Sequence, residues 1–185
     1  MRPKTLRITR AKAGLLVIDI QEKLLPLIHE KERLIQNSVR LIKAAQILSV
    51  PIFVTEQYRK GLGLTDKQVA SAITGFAPIE KVTFSSCGAE GLVPALKERG
   101  LTDLLLCGME AHICVLQTCL DLLDQGFNVF VVTDAISSRD PHNSSVAVDR
   151  MSAAGAVNVT IEMALFEMLE RAATDDFKQI LALVR

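Results

Sequence analysis

The residues GLLVIDI, at positions 14–20, set the strongest limit on how this chain can fold. The aliphatic run is broken by no polar residue until Asp19. It lacks the alternation of a strand with one wet face, so a strand built from it must be covered on both sides. Such strands belong to parallel sheets packed between helices, and the remainder of the chain supplies the pieces. Residues 31–49 carry Leu34, Ile35, Val39, Leu41, Ile42, Ala45 and Leu48 at helical spacing. PIFVTEQ then reads as a second strand, entered through Pro51, where a missing N–H does least harm.

A loop, RKGLGLTD, follows, and Thr65 is expected to cap a short helix running through Ala72. The stretch 79–84, IEKVTF, is a short strand. A helix near 89–99, a strand over 103–107 and a helix over 113–125, stopped by Gly126, come next. The pattern closes with a strand over 128–133, a helix over 142–154, a strand over 156–160 and helices over 161–171 and 175–183. Strands alternating with helices predict an α/β fold: a three-layer, doubly wound, six-stranded parallel sheet in the order 3-2-1-4-5-6, with helices on both faces. In that order strands 1 and 4 lie side by side where the winding reverses. Ligands bind such sheets at that point, outside the carboxyl ends of the strands. Asp19 ends strand 1 and Cys107 ends strand 4, so two distant segments are predicted to meet in the crevice.

Length and charge narrow the function classes. A chain of 185 residues fits one domain, 1–185, burying roughly 70% of its unfolded surface. Lys plus Arg and Asp plus Glu number 21 each, which leaves no electrostatic footprint for nucleic acid or an anionic membrane. Positive charge is concentrated only in residues 1–12, where Arg2, Lys4, Arg7, Arg10 and Lys12 have no acidic neighbour. This segment is expected to be a solvated basic tail; as a transit peptide it is short, lacks serine and is interrupted by Pro3. No apolar run approaches the ~20 residues needed to cross a bilayer, and the start lacks the order of a secretory signal. A reducing, cytoplasmic location follows as the expectation. The spacing of Cys87, Cys107, Cys114 and Cys119 matches neither a disulfide framework nor a structural zinc site.

Three residues stand out at the predicted crevice. Cys114 lies where the loop GMEAHI becomes a helix, among unpaired backbone N–H groups that favour a thiolate by roughly 0.3–1 kcal/mol. It is equally readable as a packing cysteine. Cys107 ends an apolar strand, and Cys119 is turned about 140° away from Cys114 on the same helix; both read as inert core residues. Asp19 is a carboxylate at the end of a buried strand, costly unless paired, and either caps a loop or does chemistry. Lys81, taken alone, is an ordinary solvated lysine.

Their combination changes the reading. D19-I-Q21, K81-V-T-F-S85 and G108-M-E-A-H-I-C114-V-L-Q-T118 occur in an order that resembles the isochorismatase-like cysteine hydrolase family, from about residue 13 to about 170. The glycine–cysteine element followed by QGFNVFVVTDAISSR is the most specific part. TEQYRKGLG, CGMEAHICVLQT and GAVNVTIEMALFEML are similar to the branch called isochorismatase domain-containing proteins, whose substrates are mostly unassigned. The resemblance implies an Asp–Lys–Cys triad, Asp19, Lys81 and Cys114. It also implies a cis peptide between Met109 and Glu110, which would aim the Glu110 N–H alongside that of Cys114 as an oxyanion hole.

The chemistry implied is hydrolysis of a small amide-like C–N bond: Cys114 attacks, Asp19 takes the thiol proton and returns it to the leaving amine, and water frees the acyl-enzyme. An ordinary aspartate and an ordinary thiol differ by about 4.5 pKa units, roughly 6 kcal/mol. Burial of Asp19, together with a thiol lowered by the helix start and by Lys81, is expected to narrow that gap, while Lys81 also lowers Asp19. His112 offers a Cys–His pairing but lies in a turn two residues before the sulfur. Gln21, Gln57, Tyr58, Phe84, Ser85 and Thr118 are candidate substrate contacts and equally ordinary fillers.

Nicotinamidases of the family hold a metal through an Asp and two His after strand 2; here EQYRKGLG stands there, so neither a metal nor another cofactor is expected. Isochorismatase itself lacks the cysteine, which leaves vinyl-ether hydrolysis as the alternative activity. A non-catalytic ligand-binding or redox-sensing protein is the alternative class, to be distinguished by whether one thiol is sensitised toward iodoacetamide. The expected partners are a small-molecule substrate and further copies of the chain, without nucleic acid or membrane.

Overall fold

In the computed structural model, residues 5–185 are described; Arg2 and Lys4 of the expected basic tail lie outside the described residues. The strands are β1 (Ala13–Ile18), β2 (Ile52–Gln57), β3 (Ile79–Lys81), β4 (Asp103–Met109), β5 (Asn128–Ser137) and β6 (Val157–Val159). They form one six-stranded sheet in the order β3-β2-β1-β4-β5-β6, parallel at every pairing, as the alternation predicts. The helices are α1 (Lys31–Ile47), α2 (Arg59–Leu62), α3 (Lys67–Ser71), α4 (Leu92–Glu98), α5 (Leu116–Asp124), α6 (Pro141–Ala153), α7 (Ile161–Leu169) and α8 (Asp175–Val184).

Side-chain alternation along the central strands divides the core in two. Leu15 and Val17 of β1, Leu105 and Cys107 of β4, and Phe130 and Val132 of β5 face α1, α7 and α8. Leu16 and Ile18, Leu104 and Leu106, and Val129 and Val131 face α4, α5 and α6. Both faces are therefore dry, the physical reason that GLLVIDI contains no polar alternation.

Local chemistry moves several boundaries from their predicted positions. Asp66, not Thr65, caps α3: its carboxylate accepts the N–H groups of Gln68 and Val69, while the Thr65 hydroxyl donates to Glu56. β3 stops at Lys81 because the Thr83 and Phe84 carbonyls turn inward onto the Lys81 ammonium instead of continuing a ladder. β5 runs on to Ser137, past a register shift opposite Leu106 and Gly108. α5 begins at Leu116, after one π-helical turn over Ala111–Val115.

The end of the basic segment is docked rather than solvated. Ile8 is buried and its N–H is donated to Glu167, the Thr9 N–H goes to Asp103, and Arg10 pairs with Asp176 at 2.7 Å. Arg7 and Lys12 remain exposed, and the ties at residues 8–10 are not legible in the sequence because every acid involved is distant along the chain. Among the described residues, no helix is long and apolar enough to cross a membrane.

Candidate active site

The carboxyl ends of β1, β2 and β3 build a buried ion pair. Asp19 leaves β1 with φ +51°, a left-handed conformation that aspartate tolerates better than most residues. Its Oδ1 accepts the Thr55 hydroxyl at 2.7 Å and its Oδ2 accepts Lys81 Nζ at 2.7 Å. Both charged side chains are at most 1% exposed. The ammonium also donates to Gln57 Oε1 at 2.8 Å and to the carbonyls of Phe84 and Thr83 at 2.9 and 3.1 Å. Three protons thus serve four acceptors, and none remains for a further group. Desolvating an isolated charge is costly, and here each charge has its opposite and additional hydrogen bonds.

The thiol arrives from the neighbouring strand. Gly108 has φ +123°, and a Cβ there would stand 2.1 Å from the Ile18 carbonyl oxygen, so only glycine lets β4 approach β1 at this level. The Met109–Glu110 peptide is cis, and the π-helical turn after it carries Cys114 back over the end of β1. The Cys114 thiol lies close enough to the Asp19 carboxylate and the Glu110 main-chain N–H for both to act on its charge. Cys114 keeps 7% exposure, so the site is a nearly closed recess. A 600 Å³ cleft elsewhere, lined by Phe53, Ile79 and Arg99 among others, contains none of these residues.

The electrostatics correct one expectation. Burial, then the negative charge of Asp19, push the Cys114 thiol up to about 12, against the lowering pull of Lys81 and the Glu110 N–H. The helix start and the lysine do not win, because a recess this dry penalises the thiolate more than they favour it. The resting group is a protonated thiol beside a carboxylate. Burial also raises Cys107 and Cys119 to about 12 and Cys87 to about 11. A low resting pKa therefore does not single out Cys114; its contact with Asp19 does.

The other sequence candidates divide by exposure. Gln21 is fully buried: its amide hydrogens go to the Gln57 and Gly63 carbonyls and its oxygen accepts the Gln57 N–H, which makes it a strut. Thr118, also buried, donates to the Cys114 carbonyl at 2.6 Å and accepts the Ser86 N–H at 2.8 Å. Ser85 accepts the Cys87 N–H, and Gln57 donates to the Val82 carbonyl. Tyr58 and Phe84 are half-exposed near the ends of β2 and β3. The His112 ring places Nδ1 2.9 Å from Ser138 Oγ, so that nitrogen is engaged away from the sulfur.

Sequence reasoning missed Thr55, whose signal was a hydroxyl in the strand IFVTEQ, pointing where Asp19 would end. It also missed Glu56, buried in β2 next to its last residue. Burial alone would raise its carboxyl, but the Thr65 hydroxyl and N–H and the Arg59 guanidinium together hold it below the usual range. Among the described residues, no three His, Cys, Asp or Glu side chains gather as a metal site.

A doubly wound parallel sheet that gathers a carboxylate, an ammonium and a thiol at its switch point defines an α/β protein with a polar recess where such folds bind ligands. The chain belongs to the isochorismatase family: the family described as Isochorismatase domain matches residues 13–163. The secreted isochorismatase effector Isc1 of Phytophthora sojae is 39% identical over 178 residues, covering 92% of this chain and 83% of that protein. Isochorismatase domain-containing protein 2 of Pongo abelii is 37% identical over 189 residues, covering 100% and 88%. The structure of MAR1 ribonuclease from Caenorhabditis elegans is similar at a TM-score of 0.91 and 39% identity, covering 97% and 92% of the two chains.

Proposed function

We propose that this chain is a cysteine hydrolase that cleaves a small, uncharged, amide-like C–N bond. The observation that carries the reading is the contact of one thiol with a carboxylate that is itself held by a buried ammonium. Because the resting thiol is protonated, the proton passes to Asp19 as the sulfur bonds to the carbonyl carbon, rather than beforehand. The carbonyl π electrons move to oxygen, and the N–H groups of Glu110 and Cys114 receive that oxyanion. Its collapse breaks the C–N bond, and Asp19 delivers the proton to the departing amine. Water then attacks the thioester, giving a proton to Asp19; the C–S bond breaks, the sulfur regains the proton and a carboxylic acid leaves.

Lys81 pairs with Asp19 next to the sulfur and has no proton left for substrate. That saturation supports an uncharged substrate over the carboxylates of isochorismate or the phosphates of RNA. Of the sequence candidates, Tyr58 and Phe84 are exposed enough to meet a substrate, whereas Gln21 and Thr118 act as struts. We assign the chain to a reducing, cytoplasmic compartment, consistent with four free cysteines. Exposed Tyr58, Val82 and Phe84 support self-association.

The test is a screen of small amides and carbamates against wild type and Cys114→Ala, with intact mass recorded during turnover. The expected result is an acyl adduct on Cys114 and at least a 10³-fold loss of rate in the variant, on the order seen for other removed nucleophiles. Turnover that survives Cys114→Ala overturns the scheme, and turnover of isochorismate or RNA alone redirects it to those substrates.

A further inference from the structure

One buried carboxylate, in the turn that leads to the thiol, takes no part in the proposed reaction. Glu110 is 4% exposed, and its Oε2 accepts the Arg139 main-chain N–H at 3.0 Å. The Nε of Arg139 lies 3.1 Å from each of the two carboxylate oxygens. Two residues further along the turn, His112 Nδ1 meets Ser138 Oγ at 2.9 Å. One residue before it, Met109 pairs in register with Ser137. The segment 109–112, which leads into Cys114, is thus tied at three successive places to residues 137–139 at the end of β5.

We propose that Arg139, acting through the Glu110 carboxylate, is a positioning residue that fixes the Glu110 N–H on the Cys114 sulfur and on the oxyanion formed there. This rests on the cysteine-hydrolase reading. The geometry is direct, because the Glu110 side chain and N–H leave adjacent backbone atoms of one residue. A carboxylate held by a guanidinium and a main-chain N–H therefore limits the swing of that peptide. The Arg139 side chain is 53% exposed, and an exposed partner contributes little to overall stability. Its main-chain N–H stays with Glu110 whatever side chain stands at 139. Replacing the side chain should therefore loosen the turn without unfolding the protein. An arrangement that is weak as a staple and strong as a locator fits a site whose donor must be aimed.

The experiment needs no natural substrate. Labelling of Cys114 by iodoacetamide is followed by peptide mass across pH in wild type, Arg139→Ala, Arg139→Lys and Glu110→Ala, with Cys87 as an internal reference in each sample. In Arg139→Ala, labelling of Cys114 is expected to slow by about tenfold at a given pH, one pKa unit of lost N–H support for the thiolate. Cys87 and the melting temperature should be unchanged, and Arg139→Lys should recover part of the rate. Glu110→Ala separates position from charge: removing a nearby anion alone would speed the labelling, whereas losing the tie slows it. Unchanged Cys114 labelling in Arg139→Ala overturns the proposal, as does faster labelling in Glu110→Ala or an equal change at Cys87. Failure of the hydrolase reading has a different signature, turnover that persists in Cys114→Ala.

Discussion

Asp19 has two opposed effects on one sulfur. In the proposed reaction it takes the thiol proton, while its negative charge makes that proton harder to remove. Asp19→Asn separates the effects. The amide lacks the charge and leaves Lys81 unopposed, so the Cys114 thiol should fall below its wild-type value of about 12. Turnover should be lost nonetheless, because no base remains. The pH profile of iodoacetamide labelling measures the first outcome, and a thiol that stays put or rises contradicts the electrostatic account. At this scale the sequence was informative about identity and poor about environment. Cys107 and Cys119 were legible as filling from the strand and the helix face that carry them. The direction of the Cys114 shift was not, because it depends on how completely residues far away in the chain close over the sulfur. Arg139 was invisible for the same reason, lying 29 positions from its partner.

The elements meet at the site through one very short approach. Gly108 of β4 lies against the Ile18 carbonyl of β1, and backbone cannot yield as a side-chain tip can. Gly108→Ala should cost on the order of 2–5 kcal/mol and displace Asp19, the residue directly after Ile18. Gly126→Ala is the control: φ is +85° but nothing lies within 4 Å, so only the conformational penalty of about 1 kcal/mol applies. Chemical unfolding of both variants checks this, and equal losses would mean that the contact is unimportant. Strand positions were readable from apolar runs, but their ends were not. The end of β3 is set by an ammonium gathering carbonyls, and the cap of α3 by a choice between adjacent Thr65 and Asp66 that composition alone leaves open.

For the molecule as a whole, the strand order followed from alternation and the rule for winding, whereas the docked segment 8–10 did not, since Glu167, Asp103 and Asp176 come from remote helices and strands. The same remoteness governs acid stability. The folded Glu56 carboxyl is held below its usual range, and its ordinary value near 4.3 returns on unfolding. The unfolded chain then binds the extra proton as pH falls, so this contribution is present above about pH 4.3 and is lost through the folded value. Glu56→Gln should be less stable than wild type near neutrality and should lose less on acidification; urea unfolding near pH 7 and below about pH 4 measures both. Parallel curves for the two proteins contradict the assignment. The Lys81 ammonium has a consequence for substitution that the ion pair alone does not convey. Four oxygens arranged around a compact point charge leave no room for a flat, forked cation, so arginine, though equally positive, should be among the least tolerated replacements there.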